Sequence, residues 1–218
     1  MTKQSQRVSG SEALPPAAVR TSVGIPLQFS DGYRTQARVF TFEGLVDGQE
    51  HVAMGLGPYQ EAAVPLVRLH SECLTGDVFG SARCDCGPQL RDAAEKITQS
   101  GGYLIYLRQE GRGIGLYNKL DAYALQDQGL NTYEANEALG LPSDARSYAA
   151  AAQILRTLEV SEIQLLSNNP DKAAQLGRHG ITVRDKVPTG VFVTSSNLRY
   201  LQAKVSVTGH RILLNPAA

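Results

Sequence analysis

GGYLIYLRQEGRGIGLYNKLDAYALQD, residues 101–127, reads as strand, turn and helix in succession. The apolar run GYLIYLR is a strand, glycines at 111, 113 and 115 punctuate the turn, and a helix runs from about Gly115 to Asp127. Downstream the alternation repeats. A helix near Ser147–Leu158 is followed by the strand EIQLLS, a helix opened by Asn169-Pro170 and the strand ITVRD after Gly180. Asn as N-cap, Pro at the first helical position and Gly past the end follow the usual asymmetry of helix termini. Upstream the pattern changes to short strands, IPLQF, YRTQARVFTF and HVAMGLG, from about Val23 to Met54. Asp31-Gly32 and Asp47-Gly48 separate them as hairpin signals. A strand at about Ala63–His70 precedes a helix whose apolar positions Leu90, Ala93, Ala94 and Ile97 keep a 3.6 period up to Gly101-Gly102. The expected fold is α/β: a mixed β-sheet with helices packed on it, preceded by an antiparallel β region.

A chain of 218 residues with 42% hydrophobic content supports one sizeable core. Residues 1–20, rich in Ser, Gln, Ala and Pro, are expected to be a poorly ordered tail, and 21–218 a single domain. Lys plus Arg equals Asp plus Glu at 21 each, so no overall field attracts nucleic acid or an anionic membrane. An anionic ligand must be caught by locally placed cations. The N-terminus lacks the apolar run of a signal peptide and no stretch reaches transmembrane length, so a cytoplasmic protein with reduced cysteines is expected.

Cys73, Cys84 and Cys86 are the only cysteines and share one window, CLTGDVFGSARCDC. Structural zinc sites use four protein ligands, whereas catalytic ones use three and keep a position open. Three thiolates therefore point to a hydrolytic Zn²⁺ that brings the pKa of water toward neutrality. The alternatives are a disulfide with a spare thiol, three unrelated buried cysteines, or a site closed by His70 as fourth ligand. Cys84 and Cys86 are too near each other for an easy bridge, and an odd count fits a disulfide framework poorly. With a helix starting after Cys86, its N-terminus favours thiolate over thiol.

Three further segments bear anion-binding chemistry. In LRQEGRGIGL, residues 107–116, alternate glycines let the backbone approach a ligand and Arg112 can pair with phosphate, against the bland reading of a flexible turn with a solvated arginine. It is neither a Rossmann fingerprint nor a Walker A loop, since residue 116 is Leu and no Gly-Lys-Ser/Thr follows. Asp144 and Arg146 are read at the opening of an Ala-rich helix, where Asp is a common cap but a cation opposes the helix dipole. An anion between them would resolve that mismatch. Ser167-Asn-Asn-Pro-Asp-Lys172 is a strand-to-helix turn carrying a hydroxyl and a lysine, which by itself is a well-formed cap.

RLHSEC…CDCGPQL, RQEGRGIGL, AYALQDQG, NTYEAN, SDAR and LLSNNPDK, in this order, resemble GTP cyclohydrolase II. The similarity is dense from about Val64 to Lys172, thinner from Arg20 to Ala63 and loose after Val187. The resemblance implies zinc-dependent hydrolysis of GTP to 2,5-diamino-6-(5-phosphoribosylamino)pyrimidin-4(3H)-one, formate and pyrophosphate, the first committed step of riboflavin biosynthesis. It implies Cys73, Cys84 and Cys86 as zinc ligands. GTP contacts would come from Arg68, Leu69, His70, Ser71, Glu72, Gln89, Glu110, Gly111, Arg112, Thr132, Ser167 and Lys172. Asp144 would be the proton acceptor, Arg146 the group attacking the α-phosphorus, and Tyr123 would lie near the purine. Mg²⁺ on the triphosphate and a homodimer are also implied. A guanidinium stays protonated in proteins, so charge stabilisation at the α-phosphate is the physically preferred role for Arg146, with the covalent route left open. Ser167 stands where family members commonly have Thr, and the hydroxyl survives. Nothing resembles the dihydroxybutanone phosphate synthase domain of bifunctional relatives. The competing functions are a paralogue that stops at the formamidopyrimidine, against which Tyr123 speaks, and a non-catalytic zinc or nucleotide-binding module.

Overall fold

Seven strands form one sheet: β1 (Ala18–Gln28), β2 (Arg34–Glu43), β3 (Val52–Leu56), β4 (Leu66–Ser71), β5 (Gly102–Leu107), β6 (Glu162–Leu166) and β7 (Thr182–Val187). Their spatial order is β1-β2-β3-β5-β4-β6-β7. The computed structural model describes residues 14–142, 144–194, 196 and 197, without the side chains of Thr132 and Tyr133. The first three strands and β5 pair antiparallel, whereas β5, β4, β6 and β7 pair parallel. The antiparallel region expected from the Asp-Gly hairpins is thus not a separate layer. It continues the parallel sheet, with β5 as the seam.

Six helices complete the described fold: α1 (Leu74–Asp77, a single turn), α2 (Cys86–Ser100), α3 (Leu116–Asp127), α4 (Thr132–Ala138), α5 (Ala149–Thr157) and α6 (Pro170–Arg178). Period-2 alternation along the central strands feeds two cores. Tyr103, Ile105 and Leu107 of β5 pack with Val67 and Leu69 of β4 and with Ile154, Leu155 and Leu176 of α5 and α6. Leu104 and Leu66 face the other way, onto Ala93, Ala94 and Ile97 of α2. Helices therefore cover both faces of the parallel half, and its loops must emerge at the strand ends.

β1 starts at Ala18, five residues before the strand pattern becomes readable and inside the segment read as tail. Its ladder with β2 runs nearly its whole length, yet its side chains are mostly exposed, so no apolar alternation marks it. Leu14 and Ala17 pack against the core, and Gln153 Nε2 donates to the Pro15 carbonyl at 2.7 Å. α4 is not apparent from hydrophobic periodicity. Its signal is a reciprocal cap, in which Glu134 N donates to Asn131 Oδ1 at 3.1 Å and Asn131 N donates to Glu134 Oε2 at 2.7 Å. No helix among the described residues is long and apolar enough to cross a membrane.

Candidate active site

The carboxyl ends of β4, β5 and β6 open into one cleft, at the edge where parallel α/β sheets gather ligands. Arg68 and His70 share a face of β4 and line the cleft, together with Ser71 and Glu72 beyond them. Leu69 points the other way. It is fully buried in the core, and its backbone carbonyl alone turns toward the site, accepting from Lys172 Nζ at 2.7 Å.

After β4 the chain enters α1, and the turn before α2 brings it back. Cys73 precedes α1, Cys84 follows the returning loop, and Cys86 is the first residue of α2. Among the described residues they are the one group of three or more His, Cys, Asp or Glu whose ligand atoms lie within 4.8 Å of one another. Cys73 Sγ and Cys84 Sγ are 3.7 Å apart, far beyond a disulfide and close to the ~3.8 Å edge of a tetrahedron with Zn–S of about 2.3 Å. The cluster fits a zinc ion with one coordination position open. Gly76 supports it from beneath: a Cβ there would meet Cys84 Sγ at 2.6 Å and Cys73 Sγ at 3.1 Å. Hydrogen bonds from Cys84 and Cys86, aided by the nearby Lys119 ammonium, hold the Cys73 thiol far below the usual range. The Cys73 thiolate in turn pushes Cys84 up to about 11.

His70 does not close the cluster. Its Nε2 lies 3.1 Å from both carboxylate oxygens of Asp77, and its ring stacks on Tyr106 with centroids 5.5 Å apart. Asp77 also accepts from Tyr106 Oη at 2.8 Å and Cys73 N at 3.0 Å, so it anchors the β4 end and the α1 turn together. The Nδ1 of His70 is buried without a hydrogen-bond partner. Burial lowers the pKa of the ring from its ordinary 6.5, against the pull of Asp77. His70 is consequently a neutral imidazole at pH 7, with Nε2–H donating to Asp77 and Nδ1 left as an acceptor.

Arg68 is buried, with Nη1 donating to the Leu166 carbonyl at 3.2 Å and Nη2 to Gln89 Oε1 at 2.9 Å. Gln89 Nε2 in turn donates to Asp85, which is fully buried just before α2. This chain fixes the Gln89 amide with its oxygen toward Arg68.

The glycine-rich turn spans Glu110–Gly113, with Gly111 and Arg112 both left-handed at φ 61°. Glu110 ties it to the cysteine loop: Oε2 accepts from Leu74 N at 2.6 Å, while Oε1 accepts from Gly111 N at 2.8 Å and Lys119 Nζ at 2.9 Å. The opposite side of the turn docks on the segment 144–146, where Ala145 N donates to the Arg112 carbonyl at 3.0 Å. Gly113 sits at φ 88°, where a side chain is strained, and a Cβ there would press on the Ala145 carbonyl carbon at 3.2 Å.

Asp144 and Arg146 form a two-pronged ion pair, Nε donating to Oδ1 at 2.8 Å and Nη2 to Oδ2. They do not open a helix as their spacing suggests, because α5 begins only at Ala149. The Asp144 carboxylate is engaged by Arg146, including its backbone N–H at 3.1 Å, instead of capping α5. Half-burial would raise the Asp144 pKa, but the Arg146 guanidinium outweighs it and holds the carboxyl below the ordinary range. Arg146, Ser167, Lys172 and Arg112 line the same cleft as the thiols.

Of the residues expected from sequence, Thr132 has a side chain outside the described ones, Leu69 contributes its backbone, and Asp144 touches the cleft through Arg146. The others line it. Residues not anticipated include Lys119, Gln126, Asn136 and Thr189. Lys119, Ala122, Tyr123 and Gln126 form one i, i+3, i+4, i+7 stripe of α3 facing the cleft. Projecting the helix from Tyr123 would have found the other three. Tyr123 itself sits under the Arg83 guanidinium, 4.5 Å from its ring centroid, and Lys119 Nζ lies 5.7 Å from the same centroid.

A family model described as GTP cyclohydrolase II matches residues 25–188. The chain is 48% identical over 195 residues to a GTP cyclohydrolase-2 of Psychromonas ingrahamii, covering 89% of this chain and 96% of that protein. It is 52% identical over 181 residues to the GTP cyclohydrolase-2 of Vibrio cholerae, covering 82% and 90%. It is also 54% identical over 176 residues to the riboflavin biosynthesis protein RibBA of Bacillus subtilis, covering 79% of this chain and 44% of that longer protein. A match of this extent, over the strands and loops that build the cleft, makes the chain a member of the GTP cyclohydrolase II family.

Proposed function

We propose that the protein hydrolyses GTP to 2,5-diamino-6-(5-phosphoribosylamino)pyrimidin-4(3H)-one, formate and pyrophosphate with Zn²⁺ at Cys73, Cys84 and Cys86, as the first committed step of riboflavin biosynthesis. The observation that carries this reading is one cleft lined both by a three-thiol cluster and by the cations Arg146 and Lys172, with Arg146 held by Asp144. When bound with one open position, zinc supplies a nucleophile for hydrolysis at neutral pH, which release of C8 as formate requires.

The protein's own groups do the remaining work. Tyr123, which lines the cleft from α3, is assigned to hold or protonate the purine as C8 becomes tetrahedral. His70 offers a neutral Nδ1 acceptor, and Arg68 a buried cation whose orientation Gln89 and Asp85 fix. Arg146, which lines the same cleft, is assigned to stabilise charge at the α-phosphate. The ionised carboxylate of Asp144 keeps the guanidinium protonated and aligned, which favours charge stabilisation over nucleophilic attack. Mg²⁺ on the triphosphate and a homodimer belong to the same reading.

The test is an end-point assay with zinc-loaded protein, GTP and Mg²⁺, reading formate, pyrophosphate and the pyrimidine mass. Stoichiometric formate and pyrophosphate are expected. A formamidopyrimidine without free formate would establish the partial reaction instead, and tight GTP binding with no product a non-catalytic module.

A further inference from the structure

Lys119 stands out as a buried ammonium directly against the thiol cluster. It projects from the first turns of α3 and is 9% exposed. Its Nζ lies 3.2 Å from Cys73 Sγ, 2.9 Å from Glu110 Oε1 and 3.0 Å from Thr75 Oγ1. An ammonium has three N–H donors, and here three acceptors meet them. With every donor taken inside the protein, Lys119 cannot grip a phosphate without dismantling this tripod, which separates it from Lys172 and Arg146 in role.

We propose that Lys119 is a positioning residue of the metal centre, binding the Cys73 thiolate to the glycine-rich turn through Glu110 and so setting metal affinity and the electron donation of that sulfur. The proposal rests on the zinc reading above. Three thiolates around a dication leave one negative charge in excess, and a buried ammonium in contact with one of them offsets it. An N–H···S bond withdraws charge from the sulfur and fixes the Cys73 rotamer, as hydrogen bonds outside the ligand set do in other metal sites. Because the same ammonium holds Glu110, and Glu110 holds Leu74 N and Gly111 N, the α1 turn and the glycine-rich turn share one fastening.

Lys119→Met keeps the aliphatic stem and removes all three donors. Zinc affinity is measured by competition with a chromophoric chelator, and the Co²⁺-substituted protein reports thiolate donation through its thiolate-to-cobalt charge-transfer band. Expected for Lys119→Met are a ~10–100-fold loss of zinc affinity and a shift of the band to lower energy, with Lys119→Arg recovering part of both. If the Met variant fails to fold by circular dichroism, Lys119→Met with Glu110→Gln, which removes the stranded carboxylate, is held to the same criteria. Wild-type protein that does not take up zinc would overturn the metal reading itself. Tight zinc binding by wild type, with affinity within twofold and an unmoved cobalt band in the variant, would overturn the role of Lys119 and leave the zinc site standing.

Discussion

Replacing Gly76 by alanine adds one methyl group at the floor of the thiol cluster. The new Cβ would stand 2.6 Å from Cys84 Sγ and 3.1 Å from Cys73 Sγ, whereas ordinary contact begins at 3.4 Å, so the Cys84 sulfur must retreat by about 0.8 Å. Metal–ligand distances tolerate roughly ±0.2 Å, so such a shift removes Cys84 from the ligand set. Four-ligand structural zinc sites bind with about 10–16 kcal/mol, or roughly 2.5–4 kcal/mol per ligand, so losing one thiolate should weaken zinc by roughly 10²- to 10³-fold. The helix does not suffer, because alanine is favoured over glycine by about 0.5–1 kcal/mol in a helix interior. Gly76→Ala should therefore melt, metal-free, within a few degrees of wild type while losing zinc to a competing chelator and losing formate release from GTP. Zinc affinity within twofold of wild type, with full turnover, would refute the packing argument and the cluster geometry on which it rests.

Tyr123→Phe removes only a hydroxyl, so GTP binding should persist while formate release falls ~10²–10⁴-fold, the usual contribution of a positioned acid or donor. Unchanged formate release would return Tyr123 to a packing role beneath Arg83. Arg146→Ala should depress pyrophosphate release by ~10²-fold or more with zinc content unchanged, and Arg146→Lys should recover part of it if charge is what matters. A GMP-sized adduct mapped to Arg146 by rapid-quench mass spectrometry would instead support the covalent route. Burial depresses the His70 pKa below the unfolded value of about 6.5, so its stabilising contribution is full above that pH and is lost as pH falls toward the folded pKa. Urea titrations of metal-free protein from pH 7.5 to 5.5 should lose at most about 1.4 kcal/mol per pH unit on this account. His70→Asn should flatten that slope, and an unaltered slope would assign it elsewhere.

The parallel half of the sheet was legible because its signals are local. Tyr103–Leu107 is continuously apolar, Asn169-Pro170 caps α6 as it reads, and Gly101 ends α2. β1 was illegible beyond its last residues because an exposed edge strand is held by backbone pairing, which leaves no hydrophobic pattern. The cysteine window was legible from residue type and spacing alone. Lys119 was not, since a lysine on an amphipathic helix ordinarily faces solvent and only the tertiary approach of Cys73 and Glu110 buries it. Asp144 misled in the opposite sense. A carboxylate before an Ala-rich helix reads as a cap, but a guanidinium two residues later competes for the same oxygens and wins, and the helix starts later.

In the proposed reaction the thiol cluster and the Asp144–Arg146 pair perform different chemistry, yet the fold does not leave them independent. The glycine-rich turn touches both: Glu110 at its start bonds the α1 turn and Lys119 beside Cys73, and the Arg112 carbonyl near its end receives Ala145 N between Asp144 and Arg146. Along the chain a single residue, Gly111 at φ 61°, separates those two attachments. Arg112, at φ 61°, bears a local backbone cost in that conformation that the glycines on either side do not. Its guanidinium lies close enough to help hold Asp144 ionised. Under the proposed function, Arg112 adds to Arg146 and Lys172 a third cation lining the cleft that receives GTP. The thiol cluster and the ion pair are therefore both fastened to one short turn, whose Gly111 and Gly113 supply the positive φ it needs.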